Sequence, residues 1–358
     1  MNVAVLGAGA GGLALAYEWA SRGHRVSLYA QRAHDQHLEP VRERGGIRAE
    51  GLLEGSARLA AVTSDIAEAL DGVEVVFVVG PAYATEPLAA DTRGHLHPGM
   101  TVVVCPGSCL GSVAFKRAAG LDLYDESIVV GETSTLPYAA RALPDATVRF
   151  FHRFDTSLFA AAAPRGSTPR VLEVLREVYP GAEEASGVFQ TALQNGNPVI
   201  HPAVTLLNAA LIERTGGDFL FYEEGVTEAV GRVMKAVDDE RVAIAQALGV
   251  TILTEPEIGV RQGYMTEANY TTGYSKAPGF LGIKAQGELH HRYLTEDAGY
   301  SLVFFTDLAR QLSVPTPTMD ALIHIASVVT GEDFAAQRAR TMDSMGLSGL
   351  TREQLAAF

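Results

Sequence analysis

Val3-Ala4-Val5-Leu6-Gly7-Ala8-Gly9-Ala10-Gly11-Gly12-Leu13-Ala14-Leu15-Ala16 is the stretch that decides the fold. Val3–Leu6 reads as a short buried strand, and Leu13–Ala16 as the opening of a helix. Between them Gly7, Gly9 and Gly12 take the G-x-G-x-x-G spacing. In that pattern the first glycine permits a tight turn and the second lets backbone approach a pyrophosphate. The third lets helix and strand pack closely. The helix N-terminus then offers free N–H groups and a positive dipole end to phosphates. Glycine-rich turns also arise for packing alone, but here strand, turn and helix follow in the order a dinucleotide site requires. Gly7, Gly9, Ala10, Gly11 and Gly12 are therefore candidate cofactor contacts.

Outward from this turn, apolar runs alternate with helical stretches, the rhythm of a parallel sheet. Strands are expected at Val3–Leu6, Val26–Tyr29, Val73–Val79, Thr101–Val104, Ile128–Val130, Thr147–Phe151 and Phe159–Ala163. Pro81, Pro106–Gly107 and Glu132–Thr133 closely follow three of them. Ligands of open α/β sheets lie beyond the carboxyl ends of the strands, so these turns form the expected cofactor rim. The acidic, small-residue stretch Glu183–Gly187 is the nearest thing to a linker. Beyond it Val204–Arg214, Glu224–Leu248, Asp297–Leu312 and Thr318–Val329 carry apolar residues at helical spacing. Thr351 with Gln354 forms a capping-box pattern. The fold class is α/β: a Rossmann-type dinucleotide-binding domain over residues 1–187, followed by a mostly α-helical substrate domain over 188–358. Arg261–His290, rich in Gly, Tyr and Thr, reads as a long irregular loop, and pocket specificity is expected to lie in this loop, which contains Tyr264, Tyr270 and Tyr274.

Bulk properties narrow the function. A chain of 358 residues with 47% hydrophobic and 20% charged residues has room for two cores. A formal charge of −14 argues against general affinity for nucleic acid or an anionic membrane surface. No apolar run reaches membrane-spanning length, and the chain opens on a strand without a charged leader, so a cytoplasmic location is expected. Cys105 and Cys109 cannot build a disulfide framework and read as structural thiols. Adjacent His290 and His291 would point to different sides, and Asp238-Asp239-Glu240 reads as a solvated helix face, so no metal is expected. A homodimer is the base-rate expectation for the assembly.

The cofactor's identity turns on the end of the second strand, Tyr29-Ala30-Gln31-Arg32. NAD sites place an acid there for the ribose 2′-hydroxyl. None is present, and Arg32 suits a 2′-phosphate. NADP is favoured over NAD, with Gln31, Arg32 and Pro81 as further cofactor contacts.

For the chemistry, Asn197-Pro198-Val199-Ile200-His201-Pro202 leads into a helix. Pro202 suits a first helical position, which would put His201 near the N-terminus. His201, Thr205 and Asn208 would share a face. A lone histidine is more often structural. Arg292 and Asp297, in Arg292-Tyr293-Leu294-Thr295-Glu296-Asp297, weaken that reading. An Asp can orient an imidazole and raise its pKa, and a guanidinium suits a substrate carboxylate. Sequence distance alone does not show that His201 and Asp297 meet.

These segments resemble the opine dehydrogenase family (octopine/nopaline and N-(1-carboxyethyl)-norvaline dehydrogenases) over nearly the whole chain. The resemblance is carried by Gly7–Gly12, Gly131-Glu132-Thr133-Ser134, Asn197–Pro202 with Leu206-Leu207-Asn208-Ala209, and Tyr222-Glu223-Glu224-Gly225. It continues in Arg292-Tyr293 with Glu296-Asp297, in Val314-Pro315-Thr316-Pro317, and more weakly in Leu347–Thr351. It implies that His201 and Asp297 serve the reaction and that Arg292 meets a substrate carboxylate. The implied reaction is reductive condensation of an amino acid with a 2-oxo acid such as pyruvate. Asn208 and Thr205 are candidates for orienting the acceptor. The chain departs at Ala30, where NAD-using members carry an acid. Rival readings are a ketopantoate or glycerol-3-phosphate type NADP reductase, which would need a lysine in the second domain, and a non-enzymatic NADP-binding sensor.

Overall fold

A computed structural model describes all 358 residues. The strands, in chain order, are β1 (Asn2–Leu6), β2 (Arg25–Tyr29), β3 (Gly46–Gly51), β4 (Gly55–Arg58), β5 (Ala61–Thr63) and β6 (Val75–Val78). They continue with β7 (Thr101–Val104), β8 (Val129–Thr133), β9 (Tyr138–Leu143), β10 (Thr147–Arg153), β11 (Leu158–Ala162) and β12 (Ala182–Glu184). The chain divides into two compact units, Met1–Thr191 with Ala356–Phe358, and Ala192–Leu355.

In the first unit an eight-stranded sheet runs in the order β12-β11-β8-β7-β6-β1-β2-β5. From β5 to β8 neighbouring strands are parallel, and β11 joins antiparallel to β8. Both faces are buried, because alternate residues of each strand point to opposite sides. Val3, Val5, Phe77 and Val103 pack on one side with Leu13, Trp19 and Leu175. Ala4, Leu6, Val76, Val78, Val102 and Val104 pack on the other with Leu88 and Phe115. Chain order reverses at β1, between β6 and β2, so the crevice for a nucleotide opens there.

Two expectations change here. Thr147–Phe151 lies outside the main sheet: it belongs to β10 in a separate four-stranded sheet, β4-β3-β10-β9. Ile47, Ala49, Val148 and Phe150 tie that sheet into the core shared with Leu13 and Trp19. The first unit, moreover, runs to Thr191 and takes back the C-terminal residues. Val188 N–H donates to the Phe358 carbonyl at 2.7 Å and Arg165 N–H to that of Ala357 at 3.0 Å. The division therefore falls after Thr191 rather than Gly187, and residues 356–358 leave the second domain.

The second unit is helical. Its main helices are Asn197–Leu207, Ala209–Thr215, Glu228–Leu248, Glu255–Arg261, Val303–Gln311 and Pro317–Thr330. The expected helix 204–214 is really two, broken at Asn208. The expected helix from Asp297 opens instead as a π-helical turn, Asp297–Leu302. Asp238 is no solvated residue: it is fully buried, bonded to Arg241 at 2.6 Å and accepting from Glu255 N–H at 2.7 Å. Glu240 accepts from the N–H groups of Thr318 and Met319 at 2.7 and 2.9 Å, capping the Pro317–Thr330 helix. Only Asp239 of the three keeps to the surface, with Lys235. No helix is long and apolar enough to cross a membrane.

Candidate active site

In the first unit, sterics force the glycine turn. Gly7 has φ +118°, and a Cβ there would stand 2.0 Å from the Val79 carbonyl oxygen. A Cβ on Gly12 would stand 1.8 Å from the Gly7 carbonyl oxygen. A Cβ on Gly9 would meet nothing within 4 Å. Gly9 is also the N-cap of the Ala10–Ser21 helix and brings no capping side chain. The N–H groups of the first turn, from Ala10 on, have no intrahelical acceptors. A Cβ on Gly11 would stand 3.0 Å from the Leu136 side chain and 3.1 Å from that of Val79. Crowding where the turn must be tight, and open space where backbone meets ligand, fit a dinucleotide pyrophosphate.

Around this turn the expected cofactor residues part company. Pro81 is the N-cap of the Ala82–Asp91 helix, at the carboxyl end of β6 and on the rim. Arg32 opens a single 3-10 turn, exposed to solvent. The Gln31 side chain instead donates to Asp91 at 2.7 Å, beside the Tyr29 hydroxyl at 2.8 Å, so its amide anchors β2 to a helix end. Cys105 and Cys109 are both buried, and burial pushes the Cys105 thiol up to about 12, which keeps it an inert thiol.

In the second unit His201 sits in the second turn of its helix rather than at its N-terminus. Pro198 occupies the first turn, and Pro202 lies inside the helix. A proline in that place lacks the N–H that would bond the carbonyl four residues earlier. His201 is buried, and its Nδ1 lies 2.7 Å from Asp297 Oδ2. The π-helical turn brings the buried Asp297 to this contact from 96 residues away in sequence. Nε2, the other ring nitrogen, is 3.3 Å from the Tyr222 hydroxyl. The Tyr293 ring stacks on the imidazole, with centroids 3.8 Å apart and planes 22° apart. The ring is thus fixed on one edge by a carboxylate and on its face by an aromatic.

Burial, aided by the Arg292 charge and opposed by Glu296, drives the His201 imidazole well below its ordinary range. Burial raises Asp297 to about 7, with Arg292 opposing. Since the two are in hydrogen-bond contact, they take up and release protons as one unit. The cause common to both shifts is desolvation, which disfavours a lone imidazolium or a lone carboxylate. A near-neutral pair of this kind is suited to moving a proton.

Arg292 begins a single helical turn, Arg292–Thr295, next to this pair in the chain. Its guanidinium carbon lies 5.7 Å from the Tyr293 ring centre, and Nη1 makes a loose 3.4 Å contact to Glu296. Its side chain is 48% exposed, which leaves donors facing outward for an anion. Thr205 and Asn208 do not join this group. The fully buried Thr205 hydroxyl accepts from the Gln286 amide at 3.0 Å. The Asn208 amide donates to the Val204 and Gly225 carbonyls at 2.8 and 3.0 Å, holding the break between two helices. The Thr205 hydroxyl and the Asn208 amide nitrogen are thus engaged with the protein's own chain. Tyr264 and Tyr270 likewise turn their hydroxyls inward, to Glu255 at 2.8 Å and Asp238 at 2.6 Å. Reasoning from the residues alone missed Tyr222 and Tyr293. Both stand inside segments that carry the family resemblance, which was the available signal.

Fold and site together define a nicotinamide dinucleotide-dependent oxidoreductase with a Rossmann half and a helical half that carries a buried His–Asp pair. Within that class the chain belongs to the opine dehydrogenase family. It is 33% identical, over 97% of its length and 96% of the relative's, to the opine dehydrogenase of Arthrobacter sp. (strain 1C). Residues 184–330 match the family described as NAD/NADP octopine/nopaline dehydrogenase, alpha-helical domain. Residues 2–107 match the NAD-dependent glycerol-3-phosphate dehydrogenase N-terminus. That second match stays within the dinucleotide-binding half and does not extend to the helical unit. Among solved structures, octopine dehydrogenase with NADH and pyruvate superposes with TM-score 0.75 at 21% identity, over 98% of this chain and 99% of the other. Yersinopine dehydrogenase with NADP+ gives 0.73 at 16% identity, over 100% and 97%. The fold is therefore that of the opine dehydrogenases, and the protein binds a nicotinamide dinucleotide.

Proposed function

We propose that this enzyme joins the amine of an amino acid to a 2-oxo acid such as pyruvate, with His201 and Asp297 as its acid–base pair. The observation that carries the assignment is the 2.7 Å contact between two buried groups 96 residues apart, with one imidazole nitrogen directed away from it. The amine and the oxo carbon condense with loss of water to an imine, and reduction gives a secondary amine bearing two carboxylates. When bound, the reduced nicotinamide supplies the hydride. Asp297 holds Nδ1, so Nε2 is the nitrogen that exchanges a proton with the substrate oxygen or nitrogen. Tyr293 keeps the ring plane fixed, and the half-exposed Arg292 fork receives a substrate carboxylate. The helical unit offers no lysine in comparable company: Lys235 and Lys284 are exposed partners of Asp239 and Asp218, and Lys276 is exposed.

The decisive assay mixes NADPH or NADH, pyruvate and a panel of amino acids, and follows absorbance. Turnover that depends on both carbon substrates supports the reading, and oxidation with pyruvate alone makes the protein a simple keto-acid reductase. His201→Ala should lower kcat/KM by roughly a thousandfold with cofactor affinity kept. Retained turnover would reject the acid–base role, and a dinucleotide-binding sensor would show no turnover in either protein.

For the cofactor we favour NADP. The end of β2 carries no acid, and the exposed Arg32 stands there as a cation suited to a 2′-phosphate. Arg32→Ala should weaken NADPH about fivefold with NADH unmoved, read by fluorescence titration. Equal losses would remove the preference.

A further inference from the structure

The rim beyond β7 and β8 holds a device that the chemistry above does not use. Ser108, Cys109 and Leu110 all adopt left-handed backbone, with φ 37°, 63° and 61°. Three consecutive side-chain-bearing residues in that region are strained, and such a turn persists only where its surroundings over-determine it. What fixes it is Glu132, on β8 and fully buried. One carboxylate oxygen accepts from the Ser112 N–H at 2.8 Å and the Ser112 hydroxyl at 2.6 Å. The other accepts from the Thr191 hydroxyl at 2.6 Å.

The turn and the carboxylate are built for each other. Leu110, N-cap of the Gly111–Ala119 helix, supplies no side-chain cap, and Glu132 takes that place from another strand. A Cβ on Gly107 would stand 2.6 Å from the Glu132 carboxylate, so only glycine lets the side chain pass. Gly107 N–H also bonds the Thr133 carbonyl at 2.8 Å. The terminal turns of β7 and β8 are in this way locked into one rim. Just past β8, Leu136 reaches the glycine turn at Gly11.

We propose that Glu132 is the positioning residue for the nicotinamide half of the cofactor, acting through the Pro106–Leu110 turn. This rests on the dinucleotide reading above. A dinucleotide lying across the strand-order reversal at β1 puts its adenosine half towards β2 and Arg32. Its nicotinamide half then falls on the β6–β7–β8 side, where the strained turn projects from the carboxyl edge. Glu132 touches no substrate in this assignment. It sets the backbone against which the nicotinamide rests, and Thr191 and Ser112 keep its two oxygens in place.

The test separates the two halves of the cofactor. Titrations of NADPH and of 2′-phospho-ADP-ribose, which lacks the nicotinamide, are compared in wild type, Glu132→Gln and Ser112→Ala. NADH and ADP-ribose are run in parallel, should the 2′-phosphate not be recognised. Loss of a buried charged hydrogen bond should weaken the full dinucleotide about tenfold and leave the fragment within about twofold. Ser112→Ala should move the same way by less, and it serves alone if Glu132→Gln does not fold. Equal weakening of fragment and full cofactor would make Glu132 a general stabiliser and overturn the proposal, as would no change in either. Failure of wild type to bind any of the four would instead sink the dinucleotide reading on which it stands.

Discussion

The glycine turn and the histidine pocket solve opposite problems. In the turn, function rests on side chains that are missing: Gly7 and Gly12 each leave room for a carbonyl that a methyl group would strike. In the pocket it rests on side chains that crowd together, His201 gripped by Asp297, Tyr222 and Tyr293. The first arrangement is local and steric, decided within a few residues. The second is long-range and electrostatic, and its properties come from burial as much as from the groups themselves.

The largest effect should come from breaking the steric side. Gly12→Ala places a Cβ 1.8 Å from a backbone oxygen, so strand and helix must separate. A loss of roughly 4 kcal/mol of unfolding free energy is expected, measured by urea denaturation. Gly9→Ala meets open space and should stay within about 0.5 kcal/mol of wild type while losing dinucleotide affinity. If both variants were equally unstable, the division of labour among the glycines would be wrong.

The electrostatic side is probed through pH. Asp297 ordinarily titrates near 3.8 and is held at about 7 in the folded protein. As pH rises from 4 to 7 the unfolded chain releases this proton first, so Asp297 favours folding less and less across that window. His201, lowered by burial, works the other way below its ordinary 6.5: acid charges it in the unfolded chain first. Asp297→Asn takes the carboxyl out of the pair and leaves the imidazole to titrate by itself. Its melting temperature relative to wild type should therefore climb from pH 4 to pH 7, and a flat difference would show that Asp297 is ionised throughout.

The same contrast explains what the sequence made legible. The turn could be read because every constraint on it lies within Val3–Ala16 and each glycine answers one steric demand. β3 and β4 were missed because Gly46-Ile47-Arg48-Ala49-Glu50-Gly51 and Gly55-Ser56-Ala57-Arg58 hold few apolar residues, their burial coming from across the fold. The His201–Asp297 contact has no local signature: the residue types suggested the pairing, and the family resemblance implied it. Thr205 and Asn208 were placed on a plausible face, but a shared helical face does not say which polar atoms are already engaged. Asp238 was misread for the same reason. Its partner Arg241 stands three residues on, and nothing in the spacing distinguishes a buried pair from a solvated one.

Asn208→Ala turns that point into a measurement. The residue gives up two hydrogen bonds to backbone carbonyls. About 2 kcal/mol of stability should be lost, with KM for both carbon substrates unchanged. A rise in KM at unchanged stability would return Asn208 to the substrate pocket.

A smaller effect is expected at Tyr222, where the two kinds of design meet. Its hydroxyl is 3.3 Å from Nε2, a long contact, while its ring stacks on Phe280 with centroids 4.0 Å apart. Burial, chiefly, holds the phenol far above its ordinary range, so it stays protonated and can donate to the neutral imidazole. Tyr222→Phe keeps the stack and removes only that donor. Loss of one hydrogen bond of this length should lower kcat about tenfold at most, with the melting temperature little changed. An increase in kcat would mean that the hydroxyl competes with substrate for Nε2 rather than aligning it. The ring nitrogen opposite Asp297 would still be the reactive one, but Tyr222 would be a gate that the substrate must displace.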